Sequence, residues 1–119
     1  MRLTVLIVDD HAGFRRFARR LLEADGFVVV GEASDGASAV AAARTLRPQL
    51  VLLDVLLPDM DGFEVAEALA REPVRPLVVL TSSRDASDLA MRLERAAATG
   101  FVHKSELSGE ALAALIEAA

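Results

Sequence analysis

Cysteine is absent from the 119-residue sequence, as are tryptophan and tyrosine. Without cysteine there can be no disulfide, thiolate metal site or cysteine nucleophile, which is compatible with a reducing compartment. Long hydrophobic runs are missing too. Val5 to Val8 and Leu50 to Leu53 fall far short of the roughly 18 residues that a membrane-spanning helix needs. Met1 and Arg2 lead into a short apolar run ending in two aspartates, with no signal-peptide pattern, so the expected location is the cytoplasm. Positive charge is in deficit: a formal net charge of −5 opposes non-specific attraction to nucleic acids and to anionic membrane surfaces. What remains is 53% hydrophobic and 26% charged, a balance that can bury one core, so residues 1–119 are expected to form a single domain with no linker or second domain following.

Thr4 to Val8, Phe27 to Val30, Leu50 to Leu53 and Leu77 to Leu80 are short apolar runs rich in Val, Leu and Ile, and Phe101 to His103 is a fifth. Continuous rather than alternating apolarity predicts strands buried on both faces. Between them the period becomes helical. Phe14, Phe17, Ala18, Leu21 and Leu22 form one stripe, with Gly26 as a stop; Asp35 caps a second helix presenting Ala37, Val40 and Ala41 before Pro48. Gly62 opens a third that buries Val65, Ala66, Leu69 and Ala70. A fourth repeats Leu89, Ala90, Leu93, Ala96 and Ala97 after a cap at Asp85 or Ser87, and a fifth begins at Ser108 and uses Leu112, Leu115 and Ile116. Five strands alternating with five helices predict a doubly wound α/β fold, a parallel sheet with right-handed crossovers and helices on both faces. The flavodoxin-like strand order 2-1-3-4-5 is one of two common choices and suits so short a chain.

In such folds ligands bind beyond the carboxyl ends of the strands. The residues there are Asp9 and Asp10 after the first strand, Asp54 after the third, Thr81 and Ser82 after the fourth, and Lys104 after the fifth. With the first and third strands adjacent, three carboxylates converge. Two carboxylates 4 Å apart repel by about 4 kcal/mol at an effective dielectric near 20, so positive charge is required. Lys104 supplies one unit, and a hard divalent cation with oxygen ligands, naturally Mg²⁺, supplies two more. An aspartate beside Mg²⁺ and an ammonium group can act as a nucleophile toward phosphorus, and the Thr81 hydroxyl can bond a phosphoryl oxygen.

Each residue also has a plainer reading. Asp9 and Asp10 could simply cap a helix, Lys104 could be a surface charge, and Thr81 could serve strand propensity. Asp54 is harder to dismiss, because an aspartate directly after an apolar strand costs several kcal/mol to bury without purpose. Arg15, Arg16, Arg19 and Arg20 form pairs four apart opposite the apolar stripe, a solvated face or a docking surface for an acidic partner. His11 and His103 lack metal-ligand spacing and are assigned to no metal, although His11 lies near the acids and could influence the lifetime of a phosphoryl group.

Taken together, Val8-Asp9-Asp10-His11, Leu53-Asp54-Val55, Leu57-Pro58-Asp59-Met60-Asp61-Gly62, Leu80-Thr81-Ser82 and Gly100-Phe101-Val102-His103-Lys104 make the chain resemble the response-regulator receiver domains of two-component signalling. The resemblance runs from Val5 to about Leu115. It implies the (βα)5 three-layer sandwich with order 2-1-3-4-5. It also implies phosphorylation of Asp54 by a sensor histidine kinase or phosphotransfer protein, with Asp9, Asp10, Asp54 and the backbone carbonyl of Leu56 holding Mg²⁺. Lys104 and Thr81 would act with Asp54 on the phosphoryl group, while Thr81 and Phe101 would form a switch that alters the surface of helix 4, strand 5 and helix 5.

The resemblance implies a signalling switch that catalyses its own loading and slow hydrolysis, not a turnover enzyme. Its output could be transcription through a further domain, and it allows a homodimer through helix 4, strand 5 and helix 5 or through helices 1 and 5. Ser105 stands where many receivers have proline, and the interval from Thr81 to Lys104 is slightly long. Two other classes share the fold. A phosphatase forming an aspartyl-phosphate would want an acid two residues after Asp54, where Leu56 stands, and a flavin or nucleotide binder would want a Gly-rich or hydroxyl-rich loop in place of Asp9-Asp10-His11-Ala12-Gly13.

Overall fold

Apolar runs become strands here because both of their faces are covered. The computed structural model describes residues 2–84 and 89–118. In chain order it contains β1 (Thr4–Val8), α1 (Ala12–Ala24), β2 (Val28–Ala33), α2 (Gly36–Leu46), β3 (Leu50–Asp54), α3 (Gly62–Ala70), β4 (Leu77–Ser82), α4 (Ala90–Arg95), β5 (Gly100–His103) and α5 (Gly109–Ala118), with a 3-10 turn over Lys104–Glu106. All strand pairs are parallel, in the order β2-β1-β3-β4-β5. This is the flavodoxin-like order expected from the sequence.

Alternate strand residues feed two cores. Leu6, Val8, Val51, Leu53, Val78 and Leu80 pack with Ala39 and Ala43 of α2 and with Val65, Ala66 and Leu69 of α3. Val5, Ile7, Leu50, Leu52, Val79 and Val102 face Ala18 and Leu22 of α1 and Leu112 of α5. Each fully buried leucine contributes about 2 kcal/mol, so the two faces together supply most of the driving force.

Local chemistry sets the helix ends. Asp35 accepts a hydrogen bond from the backbone N–H of Ser38 at 2.8 Å, capping α2 as expected, and Asp61 does the same for Glu64 at 2.9 Å. Ser108 Oγ accepts from Ala111 N–H at 2.9 Å at the start of α5, and Asp25 Oδ2 reaches across to Gly109 N–H at 3.0 Å. The expected caps Asp85 and Ser87 lie outside the described residues.

Four sequence expectations are corrected. Phe17 is 52% exposed rather than buried, because the inner face of α1 centres on Ala18 and Leu22, about a third of a turn away. Its ring instead packs on Phe14, with centroids 6.3 Å apart. On α2 the buried residues are Gly36, Ala39 and Ala43, while Ala37 and Ala41 face solvent. The helix is so rich in alanine that periodicity barely distinguishes its faces. β2 extends to Ala33, since Glu32 is tolerated at the sheet edge and the register shifts between Val5 and Leu6. α4 stops at Arg95, and Ala96 is extended. Thr99 has to pair with Val78 through a 2.7 Å bond to enter the sheet, which overrides the helix propensity of three successive alanines.

Candidate functional site

The topology brings the polar residues that end or directly follow β1, β3, β4 and β5 to one sheet edge, with Asp54 the last residue of β3 and Thr81 and Ser82 the last two of β4. Val8 pairs with Leu53, Asp54 with Thr81, and Ser82 with His103. Neighbouring parallel strands in register therefore set Asp9, Asp54 and Thr81 side by side. Asp9 is fully buried and Asp54 is 4% exposed, whereas Asp10 is open to solvent.

Lys104 is the counter-charge. Its Nζ stands 2.6 Å from Asp9 Oδ2 and 3.1 Å from Asp54 Oδ2, fifty residues away in sequence. The Asp9 contact is ionic rather than well directed, because Asp9 Oδ2 has no donor at a hydrogen-bonding angle among the described residues. The ammonium also lies 4.6 Å from the centre of the Phe14 ring, a cation–π contact that turns a residue expected in the core into a wall of the site.

Electrostatics follow from burial. Desolvation pushes the Asp54 carboxyl above its ordinary range, the Asp9 charge adds to the rise, and the Leu56 N–H and Lys104 only partly oppose it. Burial alone would lower the Lys104 ammonium, but the close ion pair with Asp9 and the charge of Asp54 outweigh it and hold the pKa above the usual lysine value. The balance of one ammonium against two buried carboxylates leaves room for more positive charge.

Thr81 Oγ1, at 1% residue exposure, is buried without a hydrogen-bond partner among the described residues. An orphan hydroxyl costs about 1 to 3 kcal/mol, a cost relieved by any acceptor that arrives beside it. Leu56 N–H donates to Asp54 Oδ1 at 3.2 Å, and Leu56 itself is exposed. Phe101 is half-buried against the core formed with α2 and α3, and it lines a shallow hollow with His103, Glu106 and Leu115 beside α5.

His11 lies beside the acids, as expected from the sequence, with Nδ1 3.1 Å from Asp9 Oδ1 and 3.0 Å from Asp10 Oδ1. Other contributors escaped sequence reasoning. Arg15 donates to the Asp9 carbonyl at 2.6 Å, and Arg15 and Arg19 both bind Glu32. Half of the basic face read as solvated is thus tied to the sheet edge. Asp59 accepts from the N–H groups of Gly36 and Ala37, at 2.7 and 2.9 Å, clamping the loop after β3 to the start of α2. These two bonds hold its carboxyl below the ordinary range. Asp35 carried an N-cap signal, but nothing local betrays that Asp59 reaches the same helix from 22 residues away.

Asp9, Asp10, His11 and Asp54 offer ligand atoms that all lie within 4.8 Å of one another. Three carboxylates, one wholly buried with an oxygen lacking a directed donor, form an oxygen-rich set suited to a hard divalent ion.

Comparison with known proteins agrees with this geometry. A family model described as "Response regulator receiver domain" matches residues 5–117. The DNA-binding response regulator MtrA of Mycobacterium tuberculosis is 40% identical over 99 residues, covering 82% of this chain and 42% of MtrA. The transcriptional regulatory protein PdtaR of the same species is 38% identical over 100 residues, covering 84% of this chain and 48% of PdtaR. The chain thus spans about half the length of the curated relatives it matches. Among solved structures, the signal receiver domain of NarL from M. tuberculosis superposes with a TM-score of 0.84 at 33% identity, over 98% of this chain and 95% of that one. A LuxR-family two-component response regulator from Aurantimonas gives 0.86 at 30% identity, over 99% and 84%. The fold, the acidic edge and the family match converge on one statement: the chain belongs to the response-regulator receiver domains.

Proposed function

We propose that this domain is a Mg²⁺-dependent phosphorylation switch of a two-component system, loaded on Asp54 from a phosphohistidine of a sensor histidine kinase or phosphotransfer protein. The observation that carries the reading is Lys104 Nζ within 3.1 Å of both buried carboxylates, beside an unpartnered Thr81 hydroxyl. An Asp54 oxygen forms a bond to phosphorus as the phosphorus–nitrogen bond of the donor breaks, and the departing imidazole takes up a proton. Lys104 holds the negative charge of the phosphoryl oxygens, and the Thr81 hydroxyl donates to one of them. Asp9, Asp10, Asp54 and the Leu56 carbonyl would hold Mg²⁺, which supplies charge neutralisation at the transferring group.

Burial of Asp54 excludes bulk water from the acid, which favours a stored phosphoryl group over rapid turnover. Movement of Thr81 toward the phosphoryl group would vacate space that Phe101 can enter, changing the surface of α4, β5 and α5. That surface would then control an output, and the relatives extend beyond the matched region, with 42% of MtrA and 48% of PdtaR covered. A homodimer through α4, β5 and α5 or through α1 and α5 is one form such control could take, and the cytoplasm is the compartment the reading implies.

The test is incubation with acetyl phosphate and Mg²⁺ followed by intact-mass measurement. Wild type should gain the mass of one phosphoryl group, while Asp54→Ala, or wild type without Mg²⁺, should not. Sustained hydrolysis of an added phosphomonoester, abolished by Asp54→Asn, would replace this reading with that of an aspartyl-phosphate hydrolase.

A further inference from the structure

His103 closes β5, where the register pairs it with Ser82 of β4. Its ring makes contacts on both sides. Nε2 lies 2.9 Å from the Ser83 carbonyl, while Nδ1 accepts from the Ser105 N–H at 3.1 Å and has the Ser105 hydroxyl 2.7 Å away. A carbonyl oxygen only accepts and a backbone N–H only donates, so these partners select one neutral tautomer, with the hydrogen on Nε2. The imidazole is thus a strap between two segments: the chain leaving β4, two residues past Thr81, and the 3-10 turn that starts at Lys104. Each segment has little else to hold it. The sheet pairing of β4 with β5 stops at Ser82 and His103, and beyond it the chain bends, with Ser82 Oγ accepting from Arg84 N–H at 2.9 Å. The bond of the 3-10 turn itself, from Leu107 N–H to the Lys104 carbonyl, is long at 3.4 Å.

We propose that His103 is a positioning residue for phosphoryl transfer: by tying the Ser83 carbonyl to the Ser105 N–H, it fixes the backbone of Lys104 relative to that of Thr81. The inference rests on the phosphorylation reading above and adds to it a residue that reading does not use. His103 acts through Lys104 and Thr81, not on the phosphoryl group itself. Lys104 Nζ hangs on a flexible four-carbon stem, so its reach toward an arriving phosphoryl oxygen depends on where the backbone holds the start of that stem. A misplacement of about 1 Å at a reacting centre can cost about 100-fold in rate. The strap also draws on the Ser105 N–H, a donor that proline at this position would lack.

The experiment measures the rate constant for labelling by acetyl phosphate at saturating Mg²⁺, from intact mass against time, in wild type, His103→Phe, His103→Asn and His103→Gln. Phenylalanine keeps a ring and loses both nitrogens, asparagine keeps an acceptor near the place of Nδ1, and glutamine keeps a donor near the place of Nε2. The Phe variant should label about 10-fold more slowly than wild type, with Asn and Gln between the two. Amide exchange at Ser105 should be faster in the Phe and Gln variants than in wild type and the Asn variant. Thermal melts confirm that each protein is folded, and His103→Ala takes the place of a Phe variant that is not. A wild-type labelling rate in the Phe variant would mean that ring bulk suffices. Asn and Gln variants as slow as Phe would mean that the two nitrogens do not act as acceptor and donor. Either result overturns the strap and leaves the phosphorylation switch standing, whereas failure of wild type to label at all would remove the switch and this inference with it.

Discussion

At the scale of single residues, the site is a place where charge is held at a cost. Asp54 is nearly buried beside Asp9, with Lys104 shared between them. Its carboxyl is raised from an ordinary value of 3.8 chiefly by desolvation. An acid with a raised folded-state pKa contributes stability that is present below the unfolded value and lost as pH rises through the folded value. Ionised Asp54 therefore weakens the metal-free domain at neutral pH. Asp54→Asn, which cannot ionise and leaves Lys104 paired with Asp9, should stabilise it by about 1 kcal/mol, a rise of about 4 °C in Tm. The gain should shrink as pH falls toward 3.8. Thermal melts of both proteins across that range check this, and a variant less stable than wild type at neutral pH would contradict it. These acids were legible in the sequence because a polar residue directly after a buried strand has little structural excuse. Phe14 and Arg15 were not, because their roles depend on the rotation of α1 about its axis, which apolar periodicity fixed only loosely.

At the scale of elements, the segment between β3 and α3 joins the site to its surroundings. Asp59 clamps α2, Asp61 caps α3 and binds Arg92 of α4 at 2.6 Å, and Gly62 N–H returns a 2.8 Å bond to the Val55 carbonyl. Gly62 permits that closeness: a Cβ there would collide with the Asp54 carbonyl oxygen and lie 2.8 Å from Val55 Cα, both backbone atoms that cannot swing aside. Gly62→Ala should therefore cost about 2 to 3 kcal/mol in a denaturant melt and slow labelling by acetyl phosphate through displacement of Asp54. Gly13, in the first turn of α1, has open space on its Cβ side: apart from its chain neighbours and its own helix backbone, no atom of the described residues lies within 4 Å of where a methyl would stand. Gly13→Ala should add about 0.5 kcal/mol with labelling unchanged. The sequence identified Gly62 as a helix start but not as a backbone contact, since the contact is with a strand and not with its own helix. The alanine-rich α2 and the short α4 misled for a related reason: one lacks contrast between its faces, and the other is ended by the demands of β5.

For the whole molecule, the strand order was legible as one of two choices, and tertiary pairing alone selected it. That order has a mechanical consequence. β1 and β3 lie inside the sheet, and each sends alternate residues to opposite faces: Leu6 to the core shared with α2 and α3, and Ile7 to the core shared with α1 and α5. Both side chains are fully buried. Truncating either one leaves a cavity worth about 2 to 4 kcal/mol. The cores have no strand of their own, so neither can persist once the other has released the sheet. Leu6→Ala and Ile7→Ala should each unfold in a single transition, with fluorescence of an extrinsic apolar dye and far-ultraviolet circular dichroism changing together. A biphasic melt in one variant alone would mean that one face survives without the other. The site would then ride on a half-folded sheet, because Asp54 closes a strand whose residues supply both cores. A single transition ties the spacing of Asp9, Asp54, Thr81 and Lys104 to the stability of the entire domain, so core variants should lose phosphoryl labelling only in proportion to the fraction unfolded.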